Sequence, residues 1–316
     1  MAHNNLSDFC IQTSASKMHV LSGWTGINMK KASTILSLAV AMSSAQLAFA
    51  NNETPPEPSK GEVLVLLSSE NVMQLTEGKT EPTGYYLNEF GVPAKALMDA
   101  GYKLVLATPK GNAPSVDNKS VIPQYFDGGE AQMREIQSFV ASLEGINDTL
   151  SLSEVIARGL GEYEGVFIPG GHAPLIDLAN NPQVGEILSH FHNEGKPTAA
   201  ICHGPIALLS GQSNPQTFEL ALKSGEQATS DSWIYEGYKM TIFSTPEEAY
   251  FESTLDDASL LYYPADAMAQ AGGKMEYKEM WAPNVVVDRE LITGQNPFSD
   301  ELLAEKLLQQ LNSQSN

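Results

Sequence analysis

Apolar and polar positions divide this chain into short, wholly apolar runs separated by longer amphipathic ones. GEVLVLLSS (61–69), KLVLATP (103–109) and GVFIPGG (165–171) are too short for helices and lack polar alternation, so each is expected to be a strand buried on both faces. PTAAIC (197–202) has the same character, and KMTIF (239–243) and NVVVDRELITG (284–294) follow it. Between these runs lie helical stretches. One covers about Asn88 to Ala100 and stops at Gly101; another runs from Pro182, a good first-turn residue, to Glu194 and stops at Gly195. An acidic stretch reaches about Ala258, and SDELLAEKLLQQL (299–311) opens on Ser299 as N-cap with leucines along one face. Strand and helix alternate, which predicts an α/β fold: a doubly wound, largely parallel sheet with helices on both faces, formed by residues 61–312 as a single domain.

The connection at 111–164 is long for such a fold, and its helical pieces AQMREIQSFVASL (131–143) and SLSEVIARGL (151–160) suit either a lid beside a site or a structural insertion. Ahead of the domain, Met29-Lys30-Lys31 leads into ASTILSLAVAMSSAQLAFA (32–50), with a basic start, an apolar centre and an Ala-Phe-Ala end. That is the pattern of a secretory signal peptide cut after Ala50, which implies export, to the periplasm in a Gram-negative cell. Residues 1–28 then read as an upstream extension, and NNETPPEPSK (51–60) as an extended or disordered polar leader.

Removing residues 1–50 takes away Lys17, Lys30, Lys31 and Asp8 and moves the formal net charge from −20 to −22. Such a surface repels nucleic acid and anionic membranes, so neither is expected as a partner once the signal is cleaved. It also removes Cys10, leaving Cys202 as the sole cysteine. No internal disulfide is then possible, and a lone thiol in an oxidising compartment is better explained by reactivity than by structure.

That thiol lies in PTAAICHGPIALL (197–209), where an apolar strand gives way to a helical run opening at Pro205. A nucleophile on a sharp strand-to-helix turn needs small neighbours two residues to either side, and here they are Ala200 and Gly204. Free amides of a helix's first turn would favour a thiolate and any oxyanion formed beside it. His203, next in the chain, suits a general base. A histidine base needs an orienting carboxylate; Glu247 and Glu248 are candidates, with Asp231 a weaker one. Gly170 and Gly171, at a strand end, let backbone amides approach a ligand, and His172 either lines the pocket or serves the turn. Glu89, near the start of the first helix, falls at the carboxyl edge where the elbow lies, and a buried, protonated carboxyl there could exchange protons with a substrate. His190 and His192, two apart on one helix, point to different faces, so they form no metal site.

TGYYLNEF-x-x-P (83–93), EGVFIPGGH (164–172), AAICHGP (199–205) and LITGQNPFS (291–299), taken together, resemble the ThiJ/PfpI superfamily of class I glutamine-amidotransferase-like proteins, in its heat-shock chaperone and glyoxalase III branch. The resemblance covers about residues 60–312. It implies a flavodoxin-like α/β sandwich, commonly a homodimer, with Cys202 as nucleophile, His203 as histidine, Glu89 against the cysteine and Glu248 as third member, Glu247 remaining an alternative. It also implies conversion of a 2-oxoaldehyde, methylglyoxal, to lactate without glutathione and with no metal or organic cofactor. Other members are described as deglycases, holdase chaperones or peptidases. A holdase would treat Cys202 as incidental and expose an apolar patch, expected in 111–164. A signal peptide departs from the branch, which is usually cytosolic, as is the main source of methylglyoxal.

Overall fold

The computed structural model describes residues 59–314, so the anticipated extension, the signal peptide and nearly all of the polar leader lie outside the described residues. The described residues fall within one compact unit. Its centre is a seven-stranded sheet made of β1 (Glu62–Leu66), β2 (Lys103–Thr108), β3 (Leu150–Ser151), β4 (Tyr163–Ile168), β5 (Thr198–Ile201), β6 (Val285–Asp288) and β7 (Leu291–Gly294). Their order across the sheet is β6-β7-β5-β4-β1-β2-β3, all parallel except β6, which runs antiparallel to β7 at the edge.

The strands are uniformly apolar because both faces are covered. Val63 and Val65 enter one core while Leu64 and Leu66 enter the other, and all four are fully buried. On the first face lie helices α1 (Leu87–Asp99), α2 (Gly129–Ser142) and, at the C-terminus, Asp300–Gln314. The second face carries α3 (Leu152–Arg158), α4 (Pro182–Glu194) and the segment Gly204–Gly211. The chain is thus a mixed, mostly parallel sheet between helices, the flavodoxin-like α/β arrangement. From β1 it crosses toward β2, and from β4 toward β5, so the strand order reverses between β1 and β4. Clefts at the carboxyl ends of strands flanking such a reversal are where α/β sheets hold ligands.

Three segments differ from the sequence expectation. NVVVDRELITG is a tight hairpin, with Arg289 at φ +57 in the turn and paired to Asp288, rather than one strand. KMTIF contributes only Lys239–Met240, which pairs with Lys274–Met275 outside the main sheet. The run after Cys202 is a 3-10 helix over Gly204–Gly211; the Leu208 carbonyl there accepts from the Trp233 indole N–H at 2.7 Å, a partner outside the helix. As for 111–164, its two helices are packed onto the sheet, with Ile136 and Val140 in one core and Leu152 and Val155 in the other. Among its described residues Ile122 is the only exposed large hydrophobic, so the segment presents no apolar patch.

Candidate active site

Cys202 follows directly on β5 and takes φ +57, a left-handed conformation that a residue with a Cβ adopts only when its surroundings enforce it. Two backbone hydrogen bonds do so: its N–H donates to the Gly294 carbonyl and its own carbonyl accepts from Phe243 N–H, both at 2.9 Å. The chain then turns so closely past β4 that a Cβ on Gly204 would lie 2.4 Å from the Ile168 carbonyl oxygen. The result is the strained elbow anticipated for a nucleophile, with the thiol only 2% exposed.

His203 points back along this turn, its Nδ1 3.3 Å from Cys202 Sγ. Its Nε2 lies 2.8 Å from Glu248 Oε2, and the other oxygen of Glu248 lies 2.9 Å from His172 Nε2. A carboxylate only accepts hydrogen bonds, so both Nε2 atoms carry the proton and His203 Nδ1 presents a lone pair to the thiol. One carboxylate therefore sets the tautomer of two histidines. The two imidazole centroids lie 3.9 Å apart with the rings tilted by 37°, and Phe251 stacks on His172 at 4.1 Å. Burial alone would raise Glu248, but the two histidines pull it down to about 2, so it is ionised throughout the neutral range. His172 is held below its ordinary value, first by burial and then by His203.

Glu248 comes from the first turn of helix α5 (Thr245–Glu252), and its neighbour Glu247 has a different task. Glu247 closes the capping box of that helix, accepting from Ser244 N–H at 2.9 Å and from its hydroxyl at 2.6 Å, and turns away from His203. Consecutive helical residues diverge by about 100° around the axis, so only one of the pair can face the elbow. Asp231 is exposed, within 3.4 Å of Asn214, and is no part of the site. His190 and His192 lie elsewhere; His192 pairs with Glu290 at 2.8 Å.

Glu89, from the first turn of α1, is completely buried against the thiol. Burial raises its carboxyl from 4.5 to about 8, opposed by the Cys202 thiol and the Gly171 N–H and reinforced by Asp300. It is thus mainly a neutral acid at pH 7. The thiol too is pushed well above its ordinary value, by burial first and by Glu89 next, with the Gly171 N–H acting the other way. The resting elbow therefore holds a thiol rather than the acidified thiolate expected from a helix N-terminus; deprotonation has to be coupled to His203. Gly170 and Gly171 divide the glycine role. A Cβ on Gly170 would fall 2.4 Å from Glu89 Oε2 and 2.6 Å from Cys202 Cβ, so its bare Cα is what admits the acid beside the sulfur. Gly171, at φ +82, turns its N–H toward that acid and sulfur and is the amide available to an oxyanion.

Above the thiol opens a cavity of about 130 Å³. Its wall includes His172 and His203 together with residues the sequence did not single out: Tyr86, Tyr125, Phe243, Phe251 and Trp281, with Lys119 at the side. Lys119 and Tyr125 are the contribution of the 111–164 segment, from its short 3-10 turns Asn118–Ser120 and Pro123–Tyr125 and not from α2 or α3. No local pattern could have marked these rings, because they arrive from separate stretches of chain. The ligand atoms of His172, His203 and Glu248 lie within 4.8 Å of one another, the composition of a two-histidine, one-carboxylate metal site. Here each Nε2 proton is spent on one oxygen of Glu248, so a cation would have to displace both.

Residues 83–214 match the model of the DJ-1/PfpI family. By this match the segment 83–214 is a DJ-1/PfpI family domain. The matched segment contains Glu89, Gly170, Gly171, His172, Cys202 and His203 and stops short of Glu248. Protein/nucleic acid deglycase HchA of Staphylococcus aureus (strain JH9) is 28% identical over 251 residues, 78% of either chain. Among solved structures, Rapid Encystment Protein 24 KDa of Francisella tularensis superposes with a TM-score of 0.63 at 24% identity, over 79% of this chain and 99% of its own. Glyoxalase III of Candida albicans does so with a TM-score of 0.61 at 23% identity, over 80% and 98%. These two likenesses are of fold. The relatives named for an activity, the deglycase and the glyoxalase, are enzymes.

Proposed function

We propose that this DJ-1/PfpI-domain protein is a glyoxalase of the glutathione-independent type, converting methylglyoxal and related 2-oxoaldehydes to 2-hydroxy acids with Cys202 as nucleophile. The observation that carries the reading is the pairing of one buried thiol with a neutral acid, Glu89, on one side and a carboxylate-oriented imidazole, His203, on the other. Isomerising a 2-oxoaldehyde needs a nucleophile and a group that gives and takes one proton, and no external oxidant.

As the sulfur adds to the aldehyde carbon, His203 Nδ1 takes the thiol proton, and Glu248 stabilises the resulting imidazolium. The carbonyl oxygen becomes an oxyanion beside the Gly171 N–H and receives the proton of Glu89, giving a hemithioacetal. Now ionised, Glu89 removes the hydrogen of that carbon while the His203 imidazolium gives its proton to the neighbouring ketone oxygen, forming an enediol. Glu89 returns that proton to the second carbon and then takes the one on the first carbon's hydroxyl, which leaves a thioester: the first carbon has been oxidised, the second reduced, and Glu89 is again the neutral acid. Water, with His203 as base, cleaves the thioester to the hydroxy acid and the free thiol. A carboxyl group titrating near 8 suits a residue that must both donate and accept near neutral pH.

The test is lactate formation from methylglyoxal without glutathione, under reducing conditions, by the full chain and its Cys202→Ala and Glu89→Gln forms. Loss of activity in both variants is expected; full turnover by Cys202→Ala would sink the mechanism. A second reading, deglycation of a methylglyoxal adduct, is favoured by the 28% identity to a deglycase. It predicts release of a modified amine in preference to consumption of free aldehyde. Export through the leader at 29–50 and assembly as a homodimer complete the proposal and rest on the sequence reading.

A further inference from the structure

The wall of the cavity above Cys202 says more about substrate than the chemistry alone requires. Methylglyoxal offers one methyl group to recognise, yet six aromatic rings, those of Tyr86, Tyr125, Phe243, Tyr250, Phe251 and Trp281, surround the thiol. They touch in series: Tyr86 and Tyr125 at 5.7 Å, Phe243 and Trp281 at 5.7 Å, and Tyr250 and Trp281 at 5.5 Å edge to face, with Phe243 4.6 Å from His203. The space they enclose, about 130 Å³, is close to the roughly 150 Å³ of an engineered apolar cavity known to take up benzene. A methyl group would leave most of it to water, for which ring faces are poor partners.

Trp281 is the wall residue whose position is most deliberately held. It sits at φ +66, a conformation that costs free energy for a bulky residue and persists only where the surroundings impose it. Its N–H donates to Glu247 Oε1 at 2.8 Å. Glu247 is fully buried and is itself fixed by Ser244, by Gln295 Nε2 at 3.1 Å and by Asn296 Nδ2 at 2.8 Å. The carboxylate beside the triad acid thus spends its remaining hydrogen-bonding capacity on the backbone of one ring at the cavity wall. Lys119 does not redirect the pocket toward anions, since its ammonium is paired with Glu81 and lies 4.8 Å over the Phe251 ring.

We propose that the pocket selects 2-oxoaldehydes carrying an aromatic substituent, and that Trp281, positioned by Glu247, is the residue that sets this preference. The inference rests on the glyoxalase reading above. Phenylglyoxal is the simplest such substrate: sulfur adds to its aldehyde carbon, the hydrogen of that carbon moves to the benzylic one, and water releases mandelate, with no other reactant. The ring would lie among the aromatic faces, where offset and edge-on contacts are favourable.

The experiment compares kcat/KM for phenylglyoxal and methylglyoxal, read as mandelate and lactate formed without glutathione, in the full chain and in Trp281→Ala, Trp281→Phe and Glu247→Gln. The wild type should favour phenylglyoxal by about tenfold or more, the scale on which a pocket discriminates apolar groups. Trp281→Ala should cut that ratio about tenfold, mostly through KM for the aromatic substrate, while Trp281→Phe keeps most of it. Glu247→Gln should lower the ratio in the same direction, without removing the ring itself. A wild-type ratio near one, or a ratio unmoved in Trp281→Ala, would overturn the inference and leave the glyoxalase reading standing. If the wild type turns over neither aldehyde, the reading beneath it fails instead.

Discussion

Replacing Glu89 by glutamine separates two consequences of burying a carboxyl group beside a thiol. In the folded chain this group titrates near 8 instead of 4.5, first because burial strips the water that would solvate its charge. Between those values the unfolded chain gives up a proton that the folded chain keeps, so stability falls as pH rises. The contribution is intact below pH 4.5 and fully lost above about 8. At 1.36 kcal/mol per unit, the cost is about 1 kcal/mol at pH 5 and about 4 kcal/mol at pH 8. Glutamine keeps the shape and does not titrate, so it removes the slope while adding only a pH-independent offset. Urea unfolding of both proteins from pH 5 to pH 8, with reductant present, should show the variant gaining about 3 kcal/mol on the wild type across that range. The same variant should lose about 10²-fold or more in turnover, since the proton carrier is gone. A difference that stays flat or shrinks as pH rises would refute the assignment of Glu89 as a neutral buried acid.

Three further outcomes follow from the same geometry. Because the acid form of Glu89 must donate to the oxyanion, kcat/KM for methylglyoxal should decline as pH passes about 8, and a profile still rising there would contradict that role. Glu248→Gln can donate to one histidine only by forcing its tautomer to change, so kcat should fall by about 10²-fold or more while the variant stays folded by circular dichroism; near-normal turnover would show that the imidazole needs no carboxylate. Gly170→Ala places a Cβ 2.5 Å from the Ile201 carbonyl oxygen and 2.4 Å from Glu89 Oε2, and should lower stability by about 1–3 kcal/mol in a melting experiment and disable the elbow; unchanged stability would mean the acid and sulfur are not packed as described.

Much of this architecture was legible in the residues. An apolar run with no polar alternation can be stable only between two layers, so β1, β2, β4 and β5 follow from their own composition, and proline and glycine delimit α4 at Pro182 and Gly195. The elbow was legible as well, since small residues two away from Cys202 meet a steric demand of the turn itself. The hairpin at 285–294 was not, because its turn uses Arg289 in a left-handed conformation where glycine or asparagine would have announced it.

The choice between Glu247 and Glu248 belongs to a different level. The two are adjacent and chemically alike, and only the rotation of their helix against the sheet sends one to His203 and the other to the backbone of Trp281. The same holds for His172, whose part in the network exists only because Glu248 arrives from a point 76 residues away in the chain. The aromatic wall likewise forms where α5, which carries Tyr250 and Phe251, meets turns and loops from separate stretches of the chain. By itself the sequence determined the strands, most of the helices bordering them and the bend that carries the thiol, because those depend on neighbours a few residues apart. Which acid orients the base, which ring closes the cavity and whether the thiol is acidified depend on distances and burial across the chain, and only the tertiary structure decided them.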